Sequence, residues 1–436
     1  MAGQRMAENL LRETWANLDS QELRLLLNKR IVGGTGQFDN YEANPNKFYL
    51  PLARESCRVA LTLKNKRIVA VEPGQAFDAD EWKKIAEEIE NAILVGPPKV
   101  GREYSFSSFR VPGSWCGQRS GVQILPPPPE VPKVANSGEN PFILEFPIVG
   151  ASDDLWVITN HRRIREHRRL TLLLNVLLTS RISFEPRMRE SFWAYIPPGE
   201  GRSNTRRAVI LRRLFRPFHR RSTIDENGES RWLQRWFSTP LNEIVCNALS
   251  PPAAERLAEV ESEAYYTNVG NDGGPLRVPT DLDESLCRYR DLSEANRSKF
   301  DRAAFWMDVA SRQWTISVSS SFASLVSAIE ALTDLGNTHW VYCEQCKANR
   351  THEVPGATDR FQSFFATYAP GPALKKRRRE MYKLRSGILH GSDLMQLDQD
   401  LAFGFDPSDF NENELQRELW SITRIALRNW LKNPAA

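Results

Sequence analysis

The sequence predicts an α+β protein: a mixed α/β N-terminal region followed by an all-helical C-terminal bundle. Three observations carry this expectation. At 436 residues the chain exceeds one ordinary hydrophobic core, so two or three domains are expected. Short strand-like runs recur up to a stretch rich in glycine, proline and asparagine, VGNDGGPLRVPT at 269–280, and stop there. From about residue 283 onward the apolar residues recur at helical spacing.

Taken in order, residues 1–30 are predicted helical, with Leu10, Leu11, Trp15 and Leu18 at helical spacing. RVALTL (58–63) and KRIVAVE (66–72) alternate like strands around a polar turn. Asp78 or Asp80 caps a helix to about Leu94, with Trp82, Ile85, Ile89 and Ile93 on one face. LPPPPEVPK at 125–133 is an extended linker or rigid surface loop, because proline fixes φ and lacks the backbone donor. FILEFPIVG (142–150) and DLWVITN (154–160) are expected strands, and Asn160 is expected to cap a long helix beginning HRRIREHRR. SFWAYI (191–196) is a further expected strand. Helices are expected near 293–313, 317–334, 357–369, 373–390 and 412–432. The domain reading is 1–124 mixed α/β, 125–140 a Pro-rich linker or loop, 141–270 Arg-rich mixed α/β, and 283–434 helical. The first and third of these are one domain or two.

Apolar residues at 41% and charged residues at 26% are ordinary for a globular chain. The longest apolar stretch, Leu170 to Leu178, is about half the roughly 20 residues of a membrane span. The first residues lack the apolar core of a signal peptide, which points to a cytoplasmic protein. Of six cysteines, Cys57, Cys116, Cys246 and Cys287 are scattered and read as small core residues. The net charge of +4 hides an asymmetry. Residues 162–221 hold sixteen arginines, four glutamates and no lysine or aspartate, so this segment carries +12 and the remainder −8.

MYKLRSGILHGSD (381–393) carries the sharpest chemical signal. The preceding KKRRREMYKL is strongly helix-forming, and Gly391 is placed to end that helix in a left-handed conformation. Arg385 and His390 then sit on neighbouring faces near the helix C-terminus, which favours positive charge. The pair is chemically sufficient for RNA cleavage without a metal. The 2′-hydroxyl attacks the adjacent phosphate, a histidine takes or supplies the proton, and an arginine fork holds the phosphate oxygens as charge builds. One histidine does not easily serve as base and acid in a single step, whereas two copies in a dimer divide the roles. The plainer reading is that Arg385 pairs with Glu330 and locks two helices together.

Arg-Ser-Gly-Ile-Leu-His-Gly resembles the R-x4-6-H motif of HEPN domains, in the RS…HG form typical of the Apea-like HEPN family. SLVSAIEALTD (324–334) resembles that family's second helix, with Glu330 as its acidic residue, and RDLSEANRSKFDRAAFWMDVA (290–310) resembles its leading helix. The resemblance covers about 283–434. It implies a helical bundle that dimerises so that both Arg385–His390 pairs line one cleft, with Glu330 orienting Arg385 or acting on substrate. It also implies an antiviral defence or toxin-like setting. Other members of the family are non-catalytic modules that bind nucleic acid or protein, and that is the alternative function.

Two further features bear on partners. His339, Cys343, Cys346 and His352 are separated by x3, x2 and x5, and thiolate and imidazole are natural tetrahedral zinc ligands. A structural zinc would staple an insert too short to build a core; a reduced cysteine pair without a ligand is the other reading, and a redox role lacks the expected βαβ surroundings. No cofactor is expected for catalysis. Arg162, Arg163, Arg165, Arg168 and Arg169 crowd two helical turns, and Arg212, Arg213, Arg216, Arg220 and Arg221 interleave with Leu214, Phe215, Phe218 and His219. Arginine contacts phosphate and aromatics stack on unpaired bases, which suits RNA. A solvated basic face, or arginines paired with the acidic remainder, is the plainer reading. GGTGQ (33–37) lacks the lysine and following helix of a P-loop, so nucleotide hydrolysis is not supported.

Overall fold

The computed structural model describes residues 9–12, 15, 19–32, 47–50, 59–64, 67–72, 79–94, 96–127, 140–151, 156–183, 193–196, 231–234, 244–267, 274–333, 337–344, 347–371, 375–399 and 407–434. The chain is α+β, with sheets in its N-terminal part and helices in its C-terminal part. Among the described residues no helix is long and apolar enough to cross a membrane. There are two compact units. The first takes Met1–Glu103, Glu145–His167 and Ser238–Ser250; the second takes Tyr104–Leu144, Arg168–Phe237 and Pro251–Ala436. This division is not the contiguous one read from the sequence. The second unit gathers early segments with the C-terminal helices, and the boundary signal at 269–280 falls inside it.

The first unit holds α1 (Ser20–Val32), the strands β1 (Lys47–Leu50), β2 (Val59–Lys64) and β3 (Arg67–Glu72), and α2 (Ala79–Leu94). The strands form an antiparallel sheet in the order β1-β2-β3, in which Leu61 pairs with Val71. Alternation puts Val59 and Leu61 of β2 into a core with Trp82, Ala86 and Ile89 of α2 and Leu23, Leu26 and Leu27 of α1; Ile68 and Val71 of β3, three apart, both join it because the β2–β3 register shifts between them. Trp15 meets Trp82 edge-on, with ring centroids 5.8 Å apart. Asp19 ends the expected long N-terminal helix on its upstream side, because its carboxylate caps α1 by accepting from the amides of Gln21 and Glu22. Leu10 is not helical; its amide donates to the Val71 carbonyl at the edge of β3.

A six-stranded sheet is built from β4 (Pro98–Ser107), β5 (Trp115–Cys116), β6 (Gln123–Leu125), β7 (Asn140–Val149), β8 (Ile182–Ser183) and β11 (Val245–Cys246). Its order is β11-β4-β7-β6-β5, with β8 also on β4. Two short strands, β9 (Trp193–Ile196) and β10 (Arg231–Gln234), pair antiparallel. Helix α3 spans Trp156–Leu177. The expected strand at 154–160 is therefore overturned from Trp156 onward, and Asn160 lies inside the helix and does not cap it. Its apolar, β-branched run looked strand-like, but such preference is weak against packing: Ile158 is buried in the first-unit core.

His167 of α3 is buried and stacks on Phe146, with centroids 6.0 Å apart. Burial, and then the Arg163 charge, lower its pKa to about 3. The unfolded chain takes up this proton near pH 6.5. His167 therefore leaves stability intact above about pH 6.5 and erodes it as pH falls from about 6.5 to about 3, at up to about 1.4 kcal/mol per unit. Chemical denaturation of wild type and His167→Gln across this range should show the wild type losing more stability on acidification. Parallel curves would refute the assignment.

In the second unit, α4 (Ser262–Thr267) lies between β12 (Ala258–Val260) and β13 (Arg277–Pro279), a parallel pair. The helical bundle follows: α5 (Leu282–Asp291), α6 (Glu294–Gln313), α7 (Val318–Glu330), α8 (Ala357–Tyr368), α9 (Lys375–Leu389), the short α10 (Gln396–Gln399) and α11 (Pro407–Lys432). The five expected helices are all present. Ser293 and Ser317 cap α6 and α7 by accepting from the amides of Asn296 and Ser320. Asp398 of α10 adds a second cap on α7, accepting from the Val318 and Ser319 amides at 2.9 and 2.7 Å. Phe300, Met307, Phe322, Leu325, Ile329, Phe365, Met381, Leu419 and Trp430 fill the core. Between α7 and α8 runs a hairpin of β14 (Asn337–Cys343) and β15 (Ala348–Val354), which helical spacing did not reveal.

Candidate active site

The site is built on the C-terminal end of α9 and the neighbouring α7. The end of α9 is set by Gly391, whose φ of 70° is the left-handed conformation expected of it. The Gly391 amide donates to the Ile388 carbonyl at 3.1 Å and the Ser392 amide to the Gly387 carbonyl at 3.0 Å, the paired closure of a Schellman motif. Gly387 is also required for space: a Cβ there would stand 2.7 Å from Cβ of Asp393. The phrase SGILHG thus has a local structural logic, and His390 occupies the C-cap.

Arg385 donates from a terminal guanidinium nitrogen to Glu330 Oε2 at 2.5 Å. The other carboxylate oxygen of Glu330 accepts from the Tyr382 hydroxyl at 3.0 Å. Tyr382 lies one turn before Arg385, and the guanidinium carbon stands 5.6 Å from its ring centroid. Glu330 is therefore held on both oxygens, and Arg385 is aimed by a carboxylate and an aromatic face together. Burial, and then the Glu330 charge, push the Tyr382 hydroxyl above its ordinary range, so it remains the donor. Nε of Arg385 is buried with no acceptor among the described residues, which leaves fork positions of the guanidinium uncommitted. Sequence reasoning missed Tyr382. Its spacing of three from Arg385 was the available signal, but a helical tyrosine is usually core.

His390 is exposed, and among the described residues no hydrogen bond holds its ring. His390 stands five positions after Arg385, just past the helix end at Leu389 and about 140° around the axis, so the two lie on different sides and not on the neighbouring faces expected. Arg385 is turned onto α7 while His390 is open to solvent. Glu330 meets Arg385 as an orienting partner. Within the upstream run KKRRR, Arg377 and Arg378 make structural contacts: Arg377 pairs with Glu418 at 2.9 Å, and the buried Arg378 donates to the Ala369 carbonyl at 2.7 Å.

The arginine-rich helix departs from its expected role in part. Arg162 is buried, and it donates from Nε to Glu22 at 2.7 Å and from a terminal nitrogen to the carbonyls of Val149 and Gly150, each at 3.1 Å. Arg163 is buried and pairs with Glu103. These two are corrected from nucleic-acid contacts to internal ion pairs, because acidic residues of the remaining chain reach them. Arg165 pairs with Glu22 at 3.2 Å and Arg169 with Asp301 at 3.5 Å, both partly exposed. Arg168 is exposed. Arg212, Arg213, Arg216, Arg220 and Arg221 lie outside the described residues.

Of the cysteine and histidine set, the backbone register of the hairpin puts His339 directly opposite His352, with Cys343 opposite Ala348 next to the turn. Cys346 lies outside the described residues, as do the side chains of the other three. Cys116, Cys246 and Cys287 are half-buried thiols, not the core residues expected; Cys57 is outside the described residues. No family model matches the chain, and neither a curated protein nor a solved structure matches it. The functional reading accordingly rests on the residues themselves.

Proposed function

We propose that this protein is a metal-independent endoribonuclease of the HEPN type, in which Arg385 and His390 act on the scissile phosphate. The observation that carries the reading is the Glu330–Arg385–Tyr382 cluster one turn before an exposed C-cap histidine. A guanidinium fixed from behind by a carboxylate keeps other donors for a phosphate oxygen, at little further ordering cost. His390 is free to transfer protons. Because helix geometry points the two side chains to different sides, we assign the complete site to a homodimer, in which one copy supplies a base and the other an acid. The substrate is RNA, attacked by its own 2′-hydroxyl and leaving a cyclic phosphate. The N-terminal region acts as sensor or regulator in a cytoplasmic defence or toxin-like system, since an unrestrained ribonuclease harms its host.

One observation favours the second reading, a non-catalytic module that binds nucleic acid or protein: the Arg385–Glu330 pair by itself suffices to lock α9 to α7. The two separate in one experiment. If His390→Ala keeps RNA binding and loses cleavage, the enzyme reading stands. If no preparation cleaves RNA and binding is unaffected by the substitution, the module reading replaces it.

We also propose a structural zinc on His339, Cys343, Cys346 and His352. The support is the ligand spacing alone: the hairpin register pairs His339 with His352 but sets Cys343 four strand residues, about 13 Å, further along, so the backbone does not itself gather the four positions. Elemental analysis of the purified chain should find about one zinc per chain, as expected of a four-ligand site, lost in Cys343→Ser and in Cys346→Ser. A wild-type chain that takes up no zinc on reconstitution would remove the proposal.

A further inference from the structure

The β14–β15 hairpin is a two-stranded arm: its strands, seven residues each, pair only with each other. A hairpin without a third strand builds no core of its own. It nonetheless carries two large aromatic side chains in the open. Trp340 is 72% exposed and Tyr342 58%. They stand two apart on β14, so both lie on one face of the ribbon, opposite Thr351 and Asn349 in the register. Asn349 is exposed, and so are Glu344 and Lys347 at the turn.

Sizes decide what this face takes. Two paired strands of seven residues span about 23 Å by about 10 Å, roughly 230 Å² per face. A stable protein interface needs about 800 Å² from each partner. The face is thus too small for a protein or a second copy of the chain, and its other exposed groups are polar. A ligand that gains its affinity from single flat rings fits instead, because stacking one base on an aromatic side chain changes affinity by about five- to 150-fold. Two residues of antiparallel strand advance about 6.8 Å, and bases along a nucleic-acid strand repeat at about 3.4 Å. The two positions are therefore in step with such a strand, with space for one base between them. Its bases must be unpaired, since those of a duplex are turned inward onto each other.

The arm is also rooted at the candidate active site. Pro355, directly after β15, accepts through its carbonyl from Arg360 of α8 at 2.8 Å. The next residue, Phe361, packs on Tyr382 with ring centroids 5.2 Å apart. Tyr382 in turn donates to Glu330, the partner of Arg385. Thr351, opposite Trp340, is four residues from Pro355, about 13 Å of strand. Asn349, opposite Tyr342, is six residues away, about 20 Å. A strand running along this face reaches the root of the arm within about four stacked nucleotides of Trp340.

We propose that Trp340 and Tyr342 form a stacking platform for unpaired RNA bases, which holds the strand flanking the bond cut at Arg385 and His390. The choice of RNA and the direction of the strand rest on the ribonuclease reading, whereas the platform itself binds without any cleavage. Asn349 is placed to hydrogen-bond a base edge and Lys347 to meet a phosphate. Glu344 offsets the Lys347 charge, so the rings carry the affinity.

The test is an anisotropy titration of the full chain with a labelled short oligoadenylate bearing 2′-O-methyl sugars, single-stranded and annealed to its complement. The methyl group removes the attacking hydroxyl, so binding is read without cleavage. Trp340→Ala and Tyr342→Ala should each weaken single-strand binding about five- to 150-fold. Trp340→Phe should keep most of the affinity, because it retains a flat face. Trp340→Leu keeps apolar bulk without that face; it should bind like Trp340→Ala and serves if the alanine variant does not fold. Duplex binding should be the same in all variants. The inference is overturned if the wild type does not bind the single strand, if both alanine variants bind it like wild type, or if duplex binding falls equally. It is also overturned if the alanine variants lose self-association in sedimentation and keep oligonucleotide binding, which makes the face a protein interface. Failure of the ribonuclease reading looks different: ordinary RNA stays intact while the uncleavable strand still binds through Trp340, and the platform stands. Alanine variants that bind like wild type, beside a wild type that cuts RNA, overturn the platform alone.

Discussion

Replacing His390 by alanine is expected to lower RNA cleavage by about 10²–10⁴-fold, the usual share of a positioned general acid or base. The fold should be untouched, because the ring is exposed and no hydrogen bond among the described residues depends on it. Arg385→Ala should lower cleavage by a comparable factor, about 10²–10³ for loss of one charge-stabilising donor. Its structural effect should differ from that of His390→Ala. It removes the ion pair to Glu330 and leaves that carboxylate with the Tyr382 hydroxyl as its described donor. A modest loss of stability, about 1 kcal/mol for a partly exposed pair, should accompany it. Rates are measured on a defined oligonucleotide, with circular dichroism to establish folding. If His390→Ala cleaves like wild type, the histidine has no role in proton transfer.

The second large effect lies in the first unit, at Glu22. This carboxylate is 3% exposed and takes Nε of Arg162 at 2.7 Å and Arg165 at 3.2 Å. Glu22→Ala should destabilise the protein by about 3–5 kcal/mol, because it leaves the Arg162 cation buried without its counter-charge. The two carbonyls that Arg162 also contacts carry only partial charge and do not replace it. Glu22→Leu combined with Arg162→Met should recover most of that loss, since an apolar pair removes both desolvation costs. Urea unfolding midpoints check both. A Glu22→Ala variant as stable as wild type would show that the Arg162 cation does not depend on Glu22 as its counter-charge.

What the sequence made legible followed from periodicity and caps. The five bundle helices have apolar stripes and one has a glycine stop at Gly391, local signals that survive without tertiary context, whereas the caps at Ser293 and Ser317 were not read from the sequence. Trp82, Ala86 and Ile89 show the same logic in α2. The misreading at 154–160 arose where a run of four apolar residues, Leu155 to Ile158, fits either period, and burial of Ile158 chose the helix. Charge was harder still. The arginines of α3 looked like one basic face, but pairing partners such as Glu22 and Glu103 lie far away in sequence, and spacing carries no information about them. Glu330 was legible through the phrase around it, whereas Tyr382 was not, because its contribution depends on which helix it faces. The unit division was hidden for the same reason. Contacts such as the Asp283 carboxylate accepting from the Arg119 and Ser120 amides join segments more than 160 residues apart.

The measurement that tests the central claim most directly is product analysis after incubating the purified wild-type chain with RNA in excess EDTA. Cleavage that persists in the chelator and leaves 2′,3′-cyclic phosphate ends is the predicted result, because attack by the adjacent 2′-hydroxyl needs only a proton acceptor, a proton donor and a cation at the phosphate. Cleavage abolished by EDTA and restored by a divalent metal, or products ending in a simple 3′-hydroxyl, would contradict it.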